Sequence, residues 1–466
     1  MKRFIATSFV LFLLSSMVLS GCGKKSESSM DAPVNDVTVV PDQYNEVPTQ
    51  VPSDGIIRIW NYTNELPKLV KKFQELHPEY KDKIEIRDAS TMEVDYQTLL
   101  DQALAAGGDE APDIYGVEVS FASKYTQGEA YQHAAPYADL GINVDPLLKE
   151  AAIVNCFTDL GTNPDGKLVG LGYQSTGGAF IYRRSIAKAV WGTDDPTKIK
   201  DIIGPGWDKF FEAATTLKQK NYAICSSLDD VWKPVFGSAD LKWVMNGKLV
   251  IDSKREDFLD MAKKLKDSGF INNTISWTDE WYNDMNDKGK RKVFGYFGPS
   301  WLIGYTMTSY AGGEKGKGTF GDWAICEPPA PFFWGGTLVL ANKDTSDKED
   351  VGKIIQWMTL DTSESGLQYL WANDKLDLGI KDTVTSASVM KNSDGKVDFL
   401  GGQNIFNVFL SAANNATSRN VTNFDDLING YWLEQVRQYA DGKKTKEQAI
   451  DDFKQEVAGN LDIVVE

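Results

Sequence analysis

Six tryptophans stand beside glycines, prolines or polar residues and not within a regular apolar pattern. The chain has 13 Trp, and 11% of its residues are aromatic, so most of these rings are expected in the core. A tryptophan next to a turn can instead present a flat apolar face to a ligand, for example by stacking on the C–H face of a pyranose ring. The alternative for each is a half-buried surface ring. The candidates for stacking are Trp232, Trp277, Trp281, Trp301, Trp334 and Trp371.

Polar side chains that can bind ligand hydroxyls follow the predicted strands. In open α/β sheets, ligands lie beyond the carboxyl ends of the strands. Directional donors and acceptors are needed there, because a buried polar group without a partner costs about 1–3 kcal/mol. Glu65 and Asp230 also suit a second role, the stabilisation of a helix N-terminus. The candidates are Asn61, Tyr62, Asn64, Glu65, Glu118 and Asp230.

Catalytic chemistry has weaker support in the sequence. A glycoside hydrolase needs two carboxylates about 5–10 Å apart, and Glu118 with Asp230 is one conceivable pair, but no spacing selects it. His77 and His133 are the only histidines. This scarcity disfavours a His-rich metal site and a Ser-His-Asp arrangement. We therefore predict no catalytic residue, no metal and no cofactor.

Apolar periodicity places the candidate residues on an α/β fold. Residues 56–60 form a β-branched strand, and the helical spacing that follows ends at His77-Pro78. A second strand, a helix ended by Gly107-Gly108 and a third strand continue the alternation. This order indicates a parallel sheet flanked by helices. The last two helices are predicted at 424–440 and 445–458.

The N-terminus has the pattern of an export signal. Lys2 and Arg3 precede an apolar stretch over residues 4–19, and "LSGC" ends at Cys22. This stretch is short for a bilayer-spanning helix, which needs about 20 apolar residues. "LSGC" resembles the lipobox of bacterial lipoproteins, which implies cleavage of residues 1–21 and lipidation of Cys22. Residues 22–54 are polar and proline-containing, as expected of a flexible tether. An ordinary secretion signal is the alternative.

The chain is strongly acidic. Its net charge is −17, and removal of Lys2 and Arg3 with the signal leaves 47 − 66 = −19. Such a surface repels nucleic acids and anionic lipid headgroups, so we predict contact with the membrane only through Cys22. The remaining cysteines are widely spaced and are predicted to be small buried residues, with a single disulfide as the alternative. They are Cys156, Cys225 and Cys326.

Six segments in order resemble the carbohydrate-binding solute-binding proteins of ABC importers, the group that includes maltose-binding protein. The resemblance runs from about Ile56 to the C-terminus. Gly172 and Arg183 depart from the family pattern, which often has Pro and usually has Asn there. The segments are "ELHPEY", "LLDQALAAGGDEAPDIYGVE", "NPDGKLVGLGYQSTGGAFIYRRSI", "KVFGYFGPSWL", "FFWGGTLVLAN" and "YADGKKTKEQAIDDF".

The resemblance implies a periplasmic-binding-protein fold of two α/β lobes, each a mixed, mostly parallel sheet flanked by helices, with the ligand cleft between them. It places the N-terminal lobe at 55–173 plus 337–380 and the C-terminal lobe at 174–336 plus 381–466. It also implies ligand contacts from Gln174, Ser175, a stacking Trp301, and the loop that begins at Asn61.

The implied function is the lipid-anchored binding component of an ABC importer, outside the cytoplasm. It would capture an oligosaccharide by hinge closure and deliver it, as a monomer, to the transmembrane subunits of a permease. The number of tryptophans favours a chain of sugars over a monosaccharide. The alternatives are a surface adhesin or sensor, or a glycoside-processing enzyme. Within transport, peptide or metal ligands are the alternatives to sugar.

Overall fold

The computed structural model describes residues 54–88, 95–376, 378 and 381–466, except for the side chain of Asp109. The predicted signal segment, Cys22 and all of the tether except Asp54 lie outside the described residues. The Asp54 carboxylate forms an ion pair with Arg58 at 2.6 Å. Over the described ranges, no helix combines the length and the apolarity that a bilayer crossing requires.

Fourteen strands and eighteen α-helices are found in the described residues. The strands are β1 Ile57–Asn61, β2 Ile84–Asp88, β3 Ile114–Glu118, β4 Gly170–Gly172, β5 Ala179–Arg183, β6 Cys225–Ser227, β7 Val244–Met245, β8 Lys248–Leu249, β9 Ile271–Thr274, β10 Gly295–Gly298, β11 Trp323–Cys326, β12 Thr337–Ala341, β13 Lys396–Val397 and β14 Gln403–Asn404.

The helices are α1 Glu65–Leu76, α2 Tyr96–Ala106, α3 Val119–Thr126, α4 Val144–Ala151, α5 Asn155–Gly161, α6 Arg184–Trp191, α7 Pro196–Ile203, α8 Trp207–Gln219, α9 Leu228–Gly237, α10 Ser253–Asp267, α11 Asp279–Met285, α12 Thr308–Tyr310, α13 Lys348–Thr359, α14 Leu367–Ala372, α15 Ala387–Lys391, α16 Phe406–Asn415, α17 Asp425–Ala440 and α18 Lys446–Asn460. A π-helix over Leu302–Met307 leads directly into α12.

The first sheet has five strands in the order β2-β1-β3-β12-β4. The strand β1 pairs in parallel with β2 and β3, as the alternation of strands and helices predicts. The strand β12 pairs antiparallel with β3 and β4. It enters this sheet after more than 160 residues of intervening chain, so no local pattern indicates its neighbours.

The second sheet has three strands in the order β10-β5-β11, and both pairings are antiparallel. A short parallel pair, β6 with β9, stands beside it, and Ala223 forms a parallel bridge to Val293. The α/β class is confirmed. The expectation of a mostly parallel second sheet is wrong, because β5 lies between two strands that run against it.

Apolar helix faces pack against both sheets. In α1, Leu66, Leu69, Val70 and Phe73 are buried at helical spacing, and the helix ends before His77 as predicted. The last two helices agree with prediction to within two residues at each end. One apolar cluster contains residues from both sheets. The three described cysteines are buried and free, as predicted.

Three chain segments run side by side between the two sheets. The backbone N–H of Trp334 donates to the carbonyl of Thr176 at 3.0 Å, and Gly177 forms a bridge to Phe333. The Thr383 hydroxyl donates to the carbonyl of Ser175 at 2.6 Å. These segments, 173–178, 332–336 and 382–386, are called the crossing segments below. The first segment leads from β4 of the first sheet to β5 of the second, and the second segment leads back from β11 to β12.

Candidate ligand-binding site

A cavity of about 1000 Å³ opens between the two sheets. It lies beyond the carboxyl ends of β1 and β3, where an open α/β sheet places a ligand. Its volume is at the upper end of the range for small-molecule sites, roughly 300–1,000 Å³. Nine of the predicted ligand-binding residues line it: Tyr62, Asn64, Glu65, Glu118, Gln174, Trp232, Trp277, Trp301 and Trp334.

The first-sheet side of the cavity is called the polar wall, defined by Tyr62, Asn64, Glu65 and Glu118. The Tyr62 hydroxyl lies 2.8 Å from the Thr337 hydroxyl. The Glu118 carboxylate accepts the Ser120 backbone N–H at 3.0 Å and so caps α3. Burial raises the pKa of Glu118. The polar wall is thus held in place by its own hydrogen bonds before any ligand binds.

Glu65 is the carboxylate at the start of α1. The Tyr173 hydroxyl donates to its Oε1 at 2.8 Å. Burial raises the pKa of Glu65 to about 7, against the opposing effect of hydrogen bonds from Tyr173 and Tyr305. Since Tyr305 lies on the π-helix after β10, this carboxyl connects the polar wall to residues of the second-sheet side. Short π-helical segments such as this one are frequently found at functional sites.

The second-sheet side is called the aromatic wall, defined by Trp232, Trp277, Trp301 and Trp334. The Trp301 and Trp334 rings meet edge to face at 4.8 Å, and Trp301 Nε1 donates to the Trp334 carbonyl at 3.1 Å. The planes of Trp277 and Trp301 differ by only 10°, with centroids 6.3 Å apart. Trp277, Trp301 and Trp334 therefore form one cluster, while Trp232 packs separately against Phe236 and Phe258.

Trp277 has an unusual backbone. Its φ is 71°, a left-handed value that is rare for a bulky side chain. Its side chain is nonetheless 46% exposed. A strained backbone that holds a large apolar ring toward the cavity is typical of a functional position. Trp232, in contrast, is only 1% exposed although it belongs to the cavity lining.

Gly335 and Gly336 let the backbone pass between the walls. Their φ angles are 68° and 105°, a region that favours glycine. A Cβ on Gly336 would lie 2.8 Å from Thr176. A side chain here would therefore separate two crossing segments.

Five predicted ligand-binding residues lie in the core and not on the cavity surface. The Asn61 amide donates to the carbonyl of Thr63 at 2.9 Å. Asp230 forms a capping box with Ser227 at the start of α9, and burial raises its pKa to about 7. Capping, the alternative recognised from the sequence, thus describes the position of Asp230.

The other three lie behind the walls. Trp281 is 1% exposed, donates from Nε1 to Asp230 at 3.0 Å and packs against Trp277 at 5.3 Å. Trp371 is fully buried and packs against Tyr173 at 5.6 Å. The Ser175 side chain is buried within a crossing segment. These residues support the walls from the second layer.

Sequence reasoning missed several lining residues. Lys233 places its ammonium 4.3 Å from the Trp334 ring centroid, and burial lowers its pKa. Phe236 follows three residues later, on the same face of α9. The capping pattern that begins at Ser227 marks the start of α9. Helical spacing counted from that start would have placed Lys233 and Phe236 on one face of the helix. Further lining residues are Asp95, Phe121, Tyr305, Asp425, Asp426, Asn429 and Leu433.

No metal-binding cluster of His, Cys, Asp or Glu is found in the part of the chain that the structure describes. The lining is dominated by aromatic rings, carboxylates, amides and hydroxyls, with Lys233 as its one ammonium group among the described residues. These groups suit a neutral, hydroxyl-rich organic ligand with apolar faces.

The fold and the site define a two-lobed α/β binding protein with its cavity between the lobes. The chain belongs to the bacterial extracellular solute-binding protein family, whose model matches residues 68–379. It is therefore a solute-binding protein that acts outside the cytoplasm. A search of curated proteins finds no match.

Solved structures show the same fold. An extracellular solute-binding protein of family 1 is 19% identical, with a TM-score of 0.70 over 86% of this chain and 98% of that one. The galacto-N-biose-/lacto-N-biose I-binding protein of the Bifidobacterium longum ABC transporter, in complex with lacto-N-biose, is 16% identical, with a TM-score of 0.62 over 89% of this chain and 100% of that one. Maltose-bound MalE3 of T. maritima is 18% identical, with a TM-score of 0.58 over 87% of this chain and 99% of that one.

Proposed function

We propose that this protein captures an oligosaccharide outside the membrane and delivers it to the permease of an ABC importer. The observation behind the proposal is the pairing of an aromatic wall with a polar wall across one cavity of about 1000 Å³. Indole faces cover the C–H faces of sugar rings, while carboxylates and amides bond the hydroxyls. Relatives of the same fold bind lacto-N-biose and maltose.

Hinge closure accompanies capture in this proposal. The lobes comprise 55–173 plus 337–380 and 174–336 plus 381–466. The crossing segments are short, and one of them contains Gly335 and Gly336, which both have positive φ angles. A ligand that contacts both walls binds the closed state better than the open one, and closure requires no more than this difference. Trp301 and Glu65 provide the opposing contacts.

The glycan leaves chemically unchanged, as expected of a binding protein that performs no catalysis. The test is a titration of the protein with maltose, maltotriose, β-1,6-galactobiose and lacto-N-biose. Tryptophan fluorescence and the melting temperature are the two readouts of binding. Ligand at a hundredfold its dissociation constant adds about 2.7 kcal/mol of stability. The proposal is supported if one glycan binds saturably, is recovered intact by mass spectrometry and binds more weakly to Trp301→Ala. Binding of none of them, or release of hydrolysis products, contradicts it.

Membrane attachment through Cys22 is part of the same proposal. A diacylated cysteine supplies the two chains that stable anchoring needs, and the tether then carries the folded body as a monomer at the membrane surface. Labelling of the full chain with a radioactive fatty acid in a bacterial host tests this. Cys22→Ser should abolish incorporation of the fatty acid and release the protein from the membrane fraction. Equal labelling of the wild-type protein and Cys22→Ser would contradict lipidation of Cys22.

A further inference from the structure

An exposed pair of tyrosines stands outside the cavity on the second-sheet side. The rings of Tyr282 and Tyr310 stack at 3.8 Å between centroids, with only 11° between their planes. Tyr310 is 46% exposed, while Tyr282 packs against the core. Because Tyr282 covers one face of Tyr310, the opposite face is turned toward solvent. Tyr310 is thus a flat apolar surface held rigidly from behind.

This pair, called the outer platform, is connected to the cavity by an unbroken series of ring contacts. Two of the contacts lie in the aromatic wall, and two lead away from it. The centroid distances are 4.8 Å for Trp334–Trp301, 6.3 Å for Trp301–Trp277, 5.3 Å for Trp277–Trp281 and 5.3 Å for Trp281–Tyr282.

The backbone connects the same two places. The π-helix Leu302–Met307 contributes Tyr305 to the cavity lining, and α12 follows it without a break and carries Tyr310. The helix α11 carries Tyr282, and it begins two residues after Trp277. Tyr282 and Tyr310 therefore each lie five residues after a residue that lines the cavity, Trp277 and Tyr305 respectively.

We propose that a glycan longer than the cavity stacks one of its outer rings on Tyr310 of the outer platform. The proposal rests on the proposed function, because the occupant is the projecting part of a glycan held between the two walls. Polar groups lie beside the platform: Asp279 and Asn283 are exposed on α11, and Asp279 is close enough to contribute to the raised pKa of Tyr282, after burial and Tyr310. Their oxygens suit sugar hydroxyls.

The size of the platform favours a sugar over a protein partner. A stable protein interface buries about 800 Å² on each side, whereas a whole aromatic side chain supplies about 150–250 Å² when fully buried. Tyr310 is already half-covered by Tyr282. The remaining surface matches one pyranose ring rather than a docking surface.

The test compares glycan lengths in calorimetric titrations of the wild-type protein and three variants. The probes are maltooligosaccharides of two to seven units and β-1,6-galactooligosaccharides of two to five units. Tyr310→Ala removes the ring, and Tyr310→Phe keeps it. Tyr131→Ala, which alters a half-buried tyrosine of the first-sheet side, is the matched control.

The proposal predicts that Tyr310→Ala leaves the dissociation constant of the shortest bound glycan unchanged. It weakens binding of the longest by about 5- to 10-fold, as expected for one lost ring stack. Tyr310→Phe restores most of this affinity, and Tyr131→Ala alters none. Equal affinities of wild type and Tyr310→Ala at every length overturn the platform and leave the proposed function standing.

Two other outcomes also overturn the proposal. If neither glycan series binds the wild-type protein, the platform falls together with the oligosaccharide function, since its occupant is defined by that function. If sedimentation shows a wild-type dimer that Tyr310→Ala dissociates, while affinity is the same at all lengths, the tyrosine pair is a contact between two copies of this chain.

Discussion

The two sides of the cavity are built from different chemistry. The polar wall presents one hydroxyl, one amide and two carboxylates, and hydrogen bonds such as that from Tyr173 to Glu65 at 2.8 Å hold it in place. The aromatic wall presents four indole rings, three of which are fixed by contacts with one another, such as Trp301 with Trp334 at 4.8 Å. One wall selects hydroxyl geometry and the other supplies apolar area, so we expect the two walls to respond differently to mutation.

The second layer behind the polar wall should give the largest effect. Trp371→Ala removes a fully buried ring that packs against Tyr173, and it should lower the free energy of unfolding by about 3–5 kcal/mol. Urea denaturation measures this change. Trp277→Ala, at a ring that is 46% exposed, is the matched control and should change stability by less than about 1 kcal/mol. Similar losses in both variants would contradict the assignment of Trp371 to the core.

The aromatic wall should dominate affinity. Trp301→Ala removes a ring that also holds Trp334 through its Nε1 hydrogen bond. Binding of the cognate glycan should weaken by about 2–4 kcal/mol, the size of a hot-spot residue, as measured by calorimetry. Trp207→Ala, whose ring packs against Phe210 at 5.4 Å, should leave affinity unchanged. Wild-type affinity in Trp301→Ala would show that this wall is not a stacking surface.

The polar wall should make stability depend on pH. The pKa of Glu65 is raised to about 7 in the folded protein, from an ordinary value of 4.5, first of all by burial. Between these values the folded state keeps a proton that the unfolded state has released, so stability falls as pH rises through this window. Below about pH 4.5 the carboxyl of Glu65 is protonated in both the folded and the unfolded state, so stability no longer changes with pH through this group. Asp230, Asp382 and Asp425 act in the same direction, with pKa values of about 7, 6 and 6.

Glu65→Gln tests this dependence. The wild-type protein should be more stable at pH 5 than at pH 8, and the difference should shrink by about 1–2 kcal/mol in the variant, since one pKa unit corresponds to about 1.4 kcal/mol. Urea midpoints at the two pH values measure it. Glu364→Gln, at an exposed glutamate, is the control. If the stability difference between pH 5 and pH 8 is the same in Glu65→Gln as in the wild-type protein, Glu65 is not a source of the pH dependence.

The smallest effect is expected where the two chemistries meet, at Lys233. Its ammonium lies over the Trp334 ring at 4.3 Å, within reach of the cavity. Lys233→Met keeps the apolar length and removes the donor, so glycan affinity should fall by about 0.5–1.5 kcal/mol, the net value of one hydrogen bond. Calorimetry beside an exposed control, Lys209→Met, measures this. A gain in affinity would show that Lys233 competes with the ligand for the ring face.

Local patterns in the sequence predict much of the first sheet and its helices. The helix α1 follows from the spacing of its apolar residues and its proline stop, because an amphipathic helix is decided within a dozen residues. The polar loop after β1 follows from the position of ligands in open α/β sheets. The antiparallel second sheet does not follow, because β5 and β10 are more than 110 residues apart and no local signal pairs them.

The tryptophans show the same limit at the level of the site. The sequence alone determined which rings depart from the regular core pattern, and four of these six line the cavity. It did not distinguish Trp277 from Trp281, four residues apart in one polar segment. Only the tertiary structure turned the first into the cavity, through a left-handed backbone, and buried the second against Asp230. Composition and spacing determine which side chains are available, whereas exposure is decided by chain segments far away in sequence that pack against them.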